Sequence, residues 1–202
     1  MDFAEVLEKR RSIRKFDPRP VAQEDVDAIL EAGRRAPSGG NLQPWRYVVI
    51  ESAEMRARLK AVSPLSFFAE APLLILACYD IEAVQRLPER AAELKTAGIF
   101  DGVAVDGAQA DELRAKRELD TVEKASYAVY NTAISLTHMD LTAVSRGLGT
   151  CWIGMFDKEK MRAILELPER YGIVCALLVG HPLQSPPLRP RVALDDIVLK
   201  RC

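Results

Sequence analysis

The chain has 202 residues, of which 49% are hydrophobic and 28% charged, with a formal net charge of −1. A chain of that length can bury roughly 70% of its unfolded surface without a disulfide or metal staple, and its composition excludes disorder, collagen and coiled-coil rods. The near-zero net charge excludes an overall basic nucleic-acid binder and leaves only local basic sites open.

Asp2 to Arg11 reads as a short helix with Phe3, Val6 and Leu7 on one face. After Pro18 and Pro20, Gln23 to Arg35 is a second amphipathic helix with Val26, Ile29 and Leu30 inward, ending at the breakers Ala36-Pro37-Ser38-Gly39-Gly40. Trp45 to Glu51 is a β-branched and aromatic strand, and Ser52 caps a helix running to about Val62. Pro72 to Tyr79 is a continuous apolar run, expected to be a central strand buried on both faces.

Glu82 to Lys124 is dense in charge and broken by Gly98, Gly102 and Gly107, which predicts a solvated helical excursion or lid. Thr121 to Arg146 then forms one long helix, ~39 Å at 1.5 Å per residue. One stripe carries Ala125, Val129, Thr132, Leu136, Met139 and Ala143, and a second carries Tyr127, Tyr130, Ile134 and Leu141. Such a helix needs cover on nearly every side, which argues for a partner subunit. Gly147 to Gly154 is a turn leading into a short extended piece, and Asp157 caps a helix through Leu167. Gly172 to Gly180 is a third buried strand. A Pro-rich tail follows from His181, with Val192 to Leu199 expected as an edge strand. Strands alternating with helices predict an α/β or α+β arrangement around one sheet.

Met1 to Glu5 has neither a basic nor an apolar leader, so a cytoplasmic protein is expected. Ala125 to Val144, the longest weakly charged stretch, contains Asn131, His138 and Asp140, so it reads as a buried helix and no membrane partner is expected. Cys78, Cys151, Cys175 and Cys202 show no C-x-x-C spacing and read as free thiols. With only His138 and His181, and no metal-ligand spacing, no metal centre is expected, and redox chemistry would need a borrowed cofactor.

Three segments carry candidate chemistry. Arg10-Arg11-Ser12-Ile13-Arg14 supplies three guanidinium groups and a hydroxyl, the donor set a phosphate wants. Alone, it reads slightly better as a solvated helix end whose charges complement the macrodipole. The second basic cluster, Arg189-Pro190-Arg191, tips the balance, because two distant clusters can converge on one dianion. In Pro37-Ser38-Gly39-Gly40-Asn41-Leu42-Gln43-Pro44, the glycines permit close backbone approach to a flat ligand. There Ser38, Asn41 and Gln43 offer donors and acceptors to a ring edge, though taken alone the segment is an ordinary helix-to-strand loop. The glycine-rich Gly147 to Met155 follows a helix and lacks G-x-G-x-x-G, so a Rossmann site is excluded; P-loop and nucleophile-elbow motifs are also absent.

Together and in this order, the segments resemble the FMN-dependent nitroreductase family. The resemblance runs through Arg10–Phe16 (RRSIRKF), Ala36–Val49 (APSGGNLQPWRYVV), Gly147–Phe156 (GLGTCWIGMF) and Arg189–Val198 (RPRVALDDIV). It implies residues 1–202 as one α+β domain with a mostly antiparallel sheet, dimerising through the long helix. The excursion at about 82–124 would be lid-like, and the tail at 181–202 would close the flavin site. It implies FMN bound at a homodimer interface. Arg10, Arg11, Ser12, Arg189 and Arg191 would lie around its phosphate, and Arg14 at N1 and O2. Pro37, Ser38, Gly39, Asn41 and Gln43 would contact the ring, with Ser38 and its neighbours from the other subunit. The backbone at Ile153, Gly154 and Met155 would meet N5, although Met155 departs from the family's second glycine there. His138 is read as a core or interface group, and Cys151 as packing.

Reduced flavin carries negative charge at N1 and O2, and a fixed guanidinium there raises its two-electron potential. NAD(P)H and then a nitroaromatic, quinone or similar electron-poor small molecule would use one slot in turn, a ping-pong cycle with no catalytic residue beyond the flavin. Same-fold alternatives are reductive dehalogenases, azoline oxidases and flavin-fragmenting enzymes. A flavin- or anion-binding sensor or storage protein without turnover, and a plain interaction domain, are the rivals from other classes.

Overall fold

The computed structural model describes residues 1–99, 101–102 and 121–202. Its frame is a four-stranded sheet of order β1-β2-β4-β3, with β1 at Trp45–Ile50, β2 at Leu73–Asp80, β3 at Gly149–Ile153 and β4 at Tyr171–Gly180. Every neighbouring pair is antiparallel: Trp45 lies opposite Tyr79, Leu73 opposite Val179, and Ile153 opposite Ala176. The two continuous apolar runs of the sequence are the two inner strands, as their lack of a polar face requires.

Side chains alternate across this sheet, so each inner strand feeds two cores. Leu74, Leu76 and Leu178 face one side, with Leu59, Phe68 and Met161 packed on them. That layer is built by α3 (Ala53–Leu59), the Ser66–Ala69 turn and a helix at Lys158–Leu165. Leu73, Ile75 and Leu177 face the other side, against Val26, Ile29, Leu136 and Met139. Those come from α2 (Gln23–Arg34) and the long helix Thr121–Ser145. Each fully buried Leu or Ile contributes about 1.5–3 kcal/mol of transfer free energy, which fixes the helix, sheet and helix layers face to face.

Local chemistry sets the element ends. At α1 (Phe3–Lys9), Asp2 and Glu5 form a reciprocal capping box, with N–H···O distances of 2.9 and 3.2 Å. Ser52 Oγ accepts the Met55 N–H at 3.3 Å, and Asp157 accepts the Lys160 N–H at 3.0 Å. After Asp80 the chain enters α4 (Glu82–Gln85) and α5 (Leu87–Thr96), the helical start expected of the excursion. Its remainder, residue 100 and residues 103–120, lies outside the described residues, and so does the core of the segment read as a lid. We number the later helices α6 (Thr121–Ser145), α7 (Lys158–Leu165) and α8 (Leu194–Ile197). Among the described residues no helix is long and apolar enough to cross a membrane.

One expectation needs correction, and three concern faces that a single chain leaves exposed. Val192 to Leu199 is not an edge strand: Leu194–Ile197 is a short helix, its first turn holding Asp195 and Asp196. Acidic residues there suit a helix N-terminus, and the N–H groups of Asp196 and Val198 bond locally to Ala193 and Leu194. Helix α6 is not buried all round. Asn131, Thr132, Ser135, Leu136, Met139 and Ala143 are buried, while Val122, Val129, Tyr130 and Ile134 are exposed in this chain. Helix α1 buries Val6 alone, and Phe3 and Leu7 are exposed, because α1 packs chiefly on α6. His138, read as a core or interface group, is exposed in the single chain, which removes the core alternative and leaves the interface one.

Candidate flavin site

The arginine-rich segment is fixed to the outer edge of β3. The Ile13 N–H donates to the Thr150 carbonyl at 2.7 Å, and Ser12 bridges Thr150 in parallel sense. Gly149 makes this approach possible: a Cβ there would lie 2.7 Å from Ile13 Cγ1. The tail returns along the same segment, with Asp17 N–H donating to the His181 carbonyl at 2.9 Å and Leu183 N–H to the Lys15 carbonyl at 3.0 Å. These bonds bring Arg189 and Arg191 to the first cluster from the far end of the chain.

The result is one cavity of about 150 Å³, lined by Arg10, Arg11, Ser12, Arg14, Arg189 and Arg191 together with Pro186, Pro187 and Leu188. Among the described residues, no acidic one lines it. Donors only, at high positive charge, suit a dianionic phosphate and nothing cationic. Cys151 lies beneath. Burial pushes its thiol up, against the pull of Arg14 and Arg189 and a hydrogen bond with Ser12. A thiol held protonated is inert, which agrees with packing. Cys78 and Cys175, pushed up to about 11 by burial, are equally inert.

Two supports were not legible in the sequence. Asp140 on α6 is 4% exposed. It accepts hydrogen bonds from the Thr150 hydroxyl and from Trp152 Nε1, the latter at 3.0 Å, and it lies in the field of Arg10. Its carboxyl is raised chiefly by desolvation. The other support is the segment Val62–Ala69. Ser63 Oγ donates to the Met155 carbonyl at 2.7 Å, Asp157 N–H donates to the Val62 carbonyl at 2.8 Å, and the Phe67 ring lies 6.0 Å from the Arg14 guanidinium carbon. This segment ties Arg14 to the Ile153–Met155 turn. The sequence signal for it was only an aromatic pair between a helix and a strand.

At that turn, Ile153 is buried and Gly154 and Met155 are exposed, with open space where a Gly154 Cβ would project. Its backbone can therefore meet a flat ligand. The Pro37–Gln43 segment lies elsewhere. Pro37, Ser38, Gly39, Asn41 and Gln43 precede β1, at the opposite edge of the sheet from the arginines. There the Gly39 N–H donates to Asn131 Oδ1 at 3.0 Å, and a Cβ on Gly39 would strike the Tyr127 hydroxyl. One chain thus unites the two arginine clusters but not the arginines with the Pro37–Gln43 loop.

The chain is similar to known proteins over nearly its whole length. Residues 7–181 match the family model described as Nitroreductase family. The chain is 33% identical over 198 residues to a protein of Thermus thermophilus named NADH dehydrogenase, covering 96% of this chain and 93% of that one. It is 30% identical over 209 residues to YdgI of Bacillus subtilis 168, provisionally named an NAD(P)H nitroreductase, covering 97% and 96%. A nitroreductase family protein from Streptococcus pneumoniae TIGR4 superposes with a TM-score of 0.78 at 26% identity, covering 99% of this chain and 100% of that one. A protein of Exiguobacterium sibiricum 255-15, solved with FMN, superposes at 0.81 over 100% and 98%; at 23% identity that likeness speaks for the fold.

Proposed function

The chain belongs to the nitroreductase family, and from that membership we propose that it is an FMN-dependent oxidoreductase, drawing electrons from NAD(P)H and passing them to a nitroaromatic, quinone or similarly electron-poor small molecule. The observation that carries this reading is the acid-free cavity joining Arg10, Ser12 and Arg14 to Arg189 and Arg191. FMN, when bound, supplies the two-electron chemistry. The chain's own residues bind and orient. Arg10, Arg11, Ser12, Arg189 and Arg191 hold the phosphate through charge-assisted hydrogen bonds. Arg14, set by Phe67, offers a fixed cation to the pyrimidine edge. The open backbone at Gly154 and Met155 gives the ring a hydrogen-bonding face, with Ser63 holding the peptide.

The Pro37–Gln43 loop and the arginines occupy opposite sheet edges, so a complete site takes the loop from a second copy. The exposed apolar stripe of α6, from Val122 to Ile134, supports a homodimer joined there. Buried free thiols at Cys78, Cys151 and Cys175 fit the reducing cytoplasm. We propose residues 1–202 as one domain, with a lid-like excursion at about 82–124 and a tail at 181–202 that closes the flavin site.

Anaerobic titration tests the reading. Purified protein should be yellow, and NADH or NADPH should bleach the flavin bands, with colour restored by a quinone. Colourless protein that takes up no FMN defeats it. Yellow protein that resists bleaching leaves a flavin-binding protein without turnover.

A further inference from the structure

The loop that the proposed function assigns to the flavin ring has an unusual backbone. Gly40, Asn41 and Gln43 all have positive φ, at 58°, 52° and 46°. Glycine tolerates that region freely, whereas side-chain-bearing residues pay a steric cost there unless their surroundings hold them. Some bonds are internal: Ser38 Oγ accepts the Gln43 N–H at 2.9 Å, and Gln43 Nε2 donates to Asn41 Oδ1 at 3.0 Å. A loop cannot be held in a costly shape by its own flexible parts alone.

Besides the Gly39–Asn131 bond at the start of the loop, Arg46 on β1 holds its strained end from outside. Its Nη1 donates to the carbonyls of Gln43 at 3.1 Å and Trp45 at 2.7 Å, and its Nη2 to Asp80 Oδ2 at 3.2 Å. Asp80 is 5% exposed and fastens the same loop again, its N–H donating to the Pro44 carbonyl at 2.8 Å. Its other oxygen, Oδ1, accepts the Glu82 N–H at 3.1 Å, at the first residue of the charged excursion. Leu42, between the strained residues, packs on Val84 of α4 and Ala128 of α6. One buried carboxylate and one guanidinium therefore join the loop, the last residue of β2 and the start of the excursion. The planar fork of arginine spreads its donors over two nitrogens, reaching the loop carbonyls with one and Asp80 with the other, a span the compact ammonium of a lysine does not have.

We propose that Arg46, anchored by Asp80, is a positioning residue that keeps the Ser38–Gln43 loop in the left-handed shape in which it meets the flavin ring. This rests on the reading of that loop as a ring contact. Arg46 itself need not touch the flavin. Its partial exposure makes replacement tolerable, and Asp80 retains a second cation nearby in Arg170.

A thermodynamic cycle on flavin-loaded protein tests the proposal, with flavin release on dilution read by fluorescence, for FMN and riboflavin separately. Arg46→Met should raise both dissociation constants about tenfold and by the same factor, because the ring and not the phosphate is affected. In a Gln43→Gly background, where glycine adopts the left-handed shape unaided, Arg46→Met should cost about threefold or less. Arg46→Lys should recover part of the loss, and the visible circular dichroism of bound flavin should change with Arg46→Met. Equal losses in both backgrounds, a loss confined to FMN, or no loss would overturn the proposal. If Asn41→Ala and Gln43→Gly themselves leave flavin release unchanged, the ring-contact reading falls and takes the proposal with it. If they weaken binding while Arg46→Met does not, the clamp alone is wrong.

Discussion

Arg14 and Asp140 are the two residues whose charges matter most beyond simple anchoring. Arg14 shares the cavity of the other arginines, and Phe67 and the Ser12 carbonyl hold its guanidinium in place. Arg14→Ala should leave FMN bound through the remaining arginines while lowering the two-electron flavin potential by roughly 30–65 mV. That equals about 1.5–3 kcal/mol for one lost charged hydrogen bond. Dye equilibration measures it, and an unchanged potential would mean that another residue serves the pyrimidine edge. Asp140 presents the opposite problem, an anion taken out of water. Its raised value means that the folded protein binds this proton more tightly than the unfolded chain does. Stability therefore falls as pH rises from the ordinary value of 3.8 through the raised one, and the penalty is complete above it. Asp140→Asn can still accept from Trp152 and donate to Thr150. It should melt no lower than the parent at about pH 7, with any advantage vanishing near pH 3, below both values. A lower midpoint at neutral pH would show that attraction to Arg10 outweighs the desolvation.

Among the elements, the edge strand β3 and the segment leaned on it are the most sensitive. Gly149→Ala sets a methyl group against Ile13, which is 6% exposed and has little room to retreat. Overpacking of this kind costs about 1–3 kcal/mol and would move Ser12 and Arg14 off their register on Thr150. The variant should melt lower and lose FMN more readily, read by thermal scans with and without added FMN; retained affinity would show that Ile13 yields by rotating. The inward face of α6 behaves as ordinary core. Leu136→Ala, at a site with no exposure, should cost about 2–5 kcal/mol in denaturant unfolding. The same helix turns a different face outward, where Tyr130 and Ile134 await cover.

At the scale of the whole molecule, the proposed function requires the tail and a second copy to close the site. Arg189→Ala with Arg191→Ala should weaken FMN binding at least tenfold, about 1.4 kcal/mol, while riboflavin, lacking the phosphate, binds both proteins alike. Equal loss of both ligands would remove the tail from the phosphate site. The dimer reading predicts an interface well above ~2,000 Å² and a dimer in light scattering at micromolar concentration. Ile134→Asp, charging the outer stripe, should give monomers that release their flavin. Monomers that keep flavin would mean that one chain builds the site alone.

Much of the molecule was legible along the chain. The caps at Asp2, Ser52 and Asp157, the double-faced strands at Leu73–Asp80 and Tyr171–Gly180 and the inward stripe of α2 all follow from residues within a few positions of one another. The arginine clusters raised the expectation of a phosphate site by residue type, and the structure brings them to one cavity. Propensity and periodicity are local quantities, so these features were determined by the sequence itself. Val192–Leu199 failed for a local reason too, since its paired aspartates favour a helix start over a strand. What only the tertiary structure decided is where distant pieces meet. Strand register sent the tail back along Lys15 and Asp17, and so brought Arg189 and Arg191 to Arg10. Sheet order set the Pro37–Gln43 loop at the far edge, and packing chose which stripe of α6 is buried and left Asp140 beneath the arginines. Those outcomes depend on hydrogen bonds and contacts between residues far apart along the chain, which no short window of sequence contains.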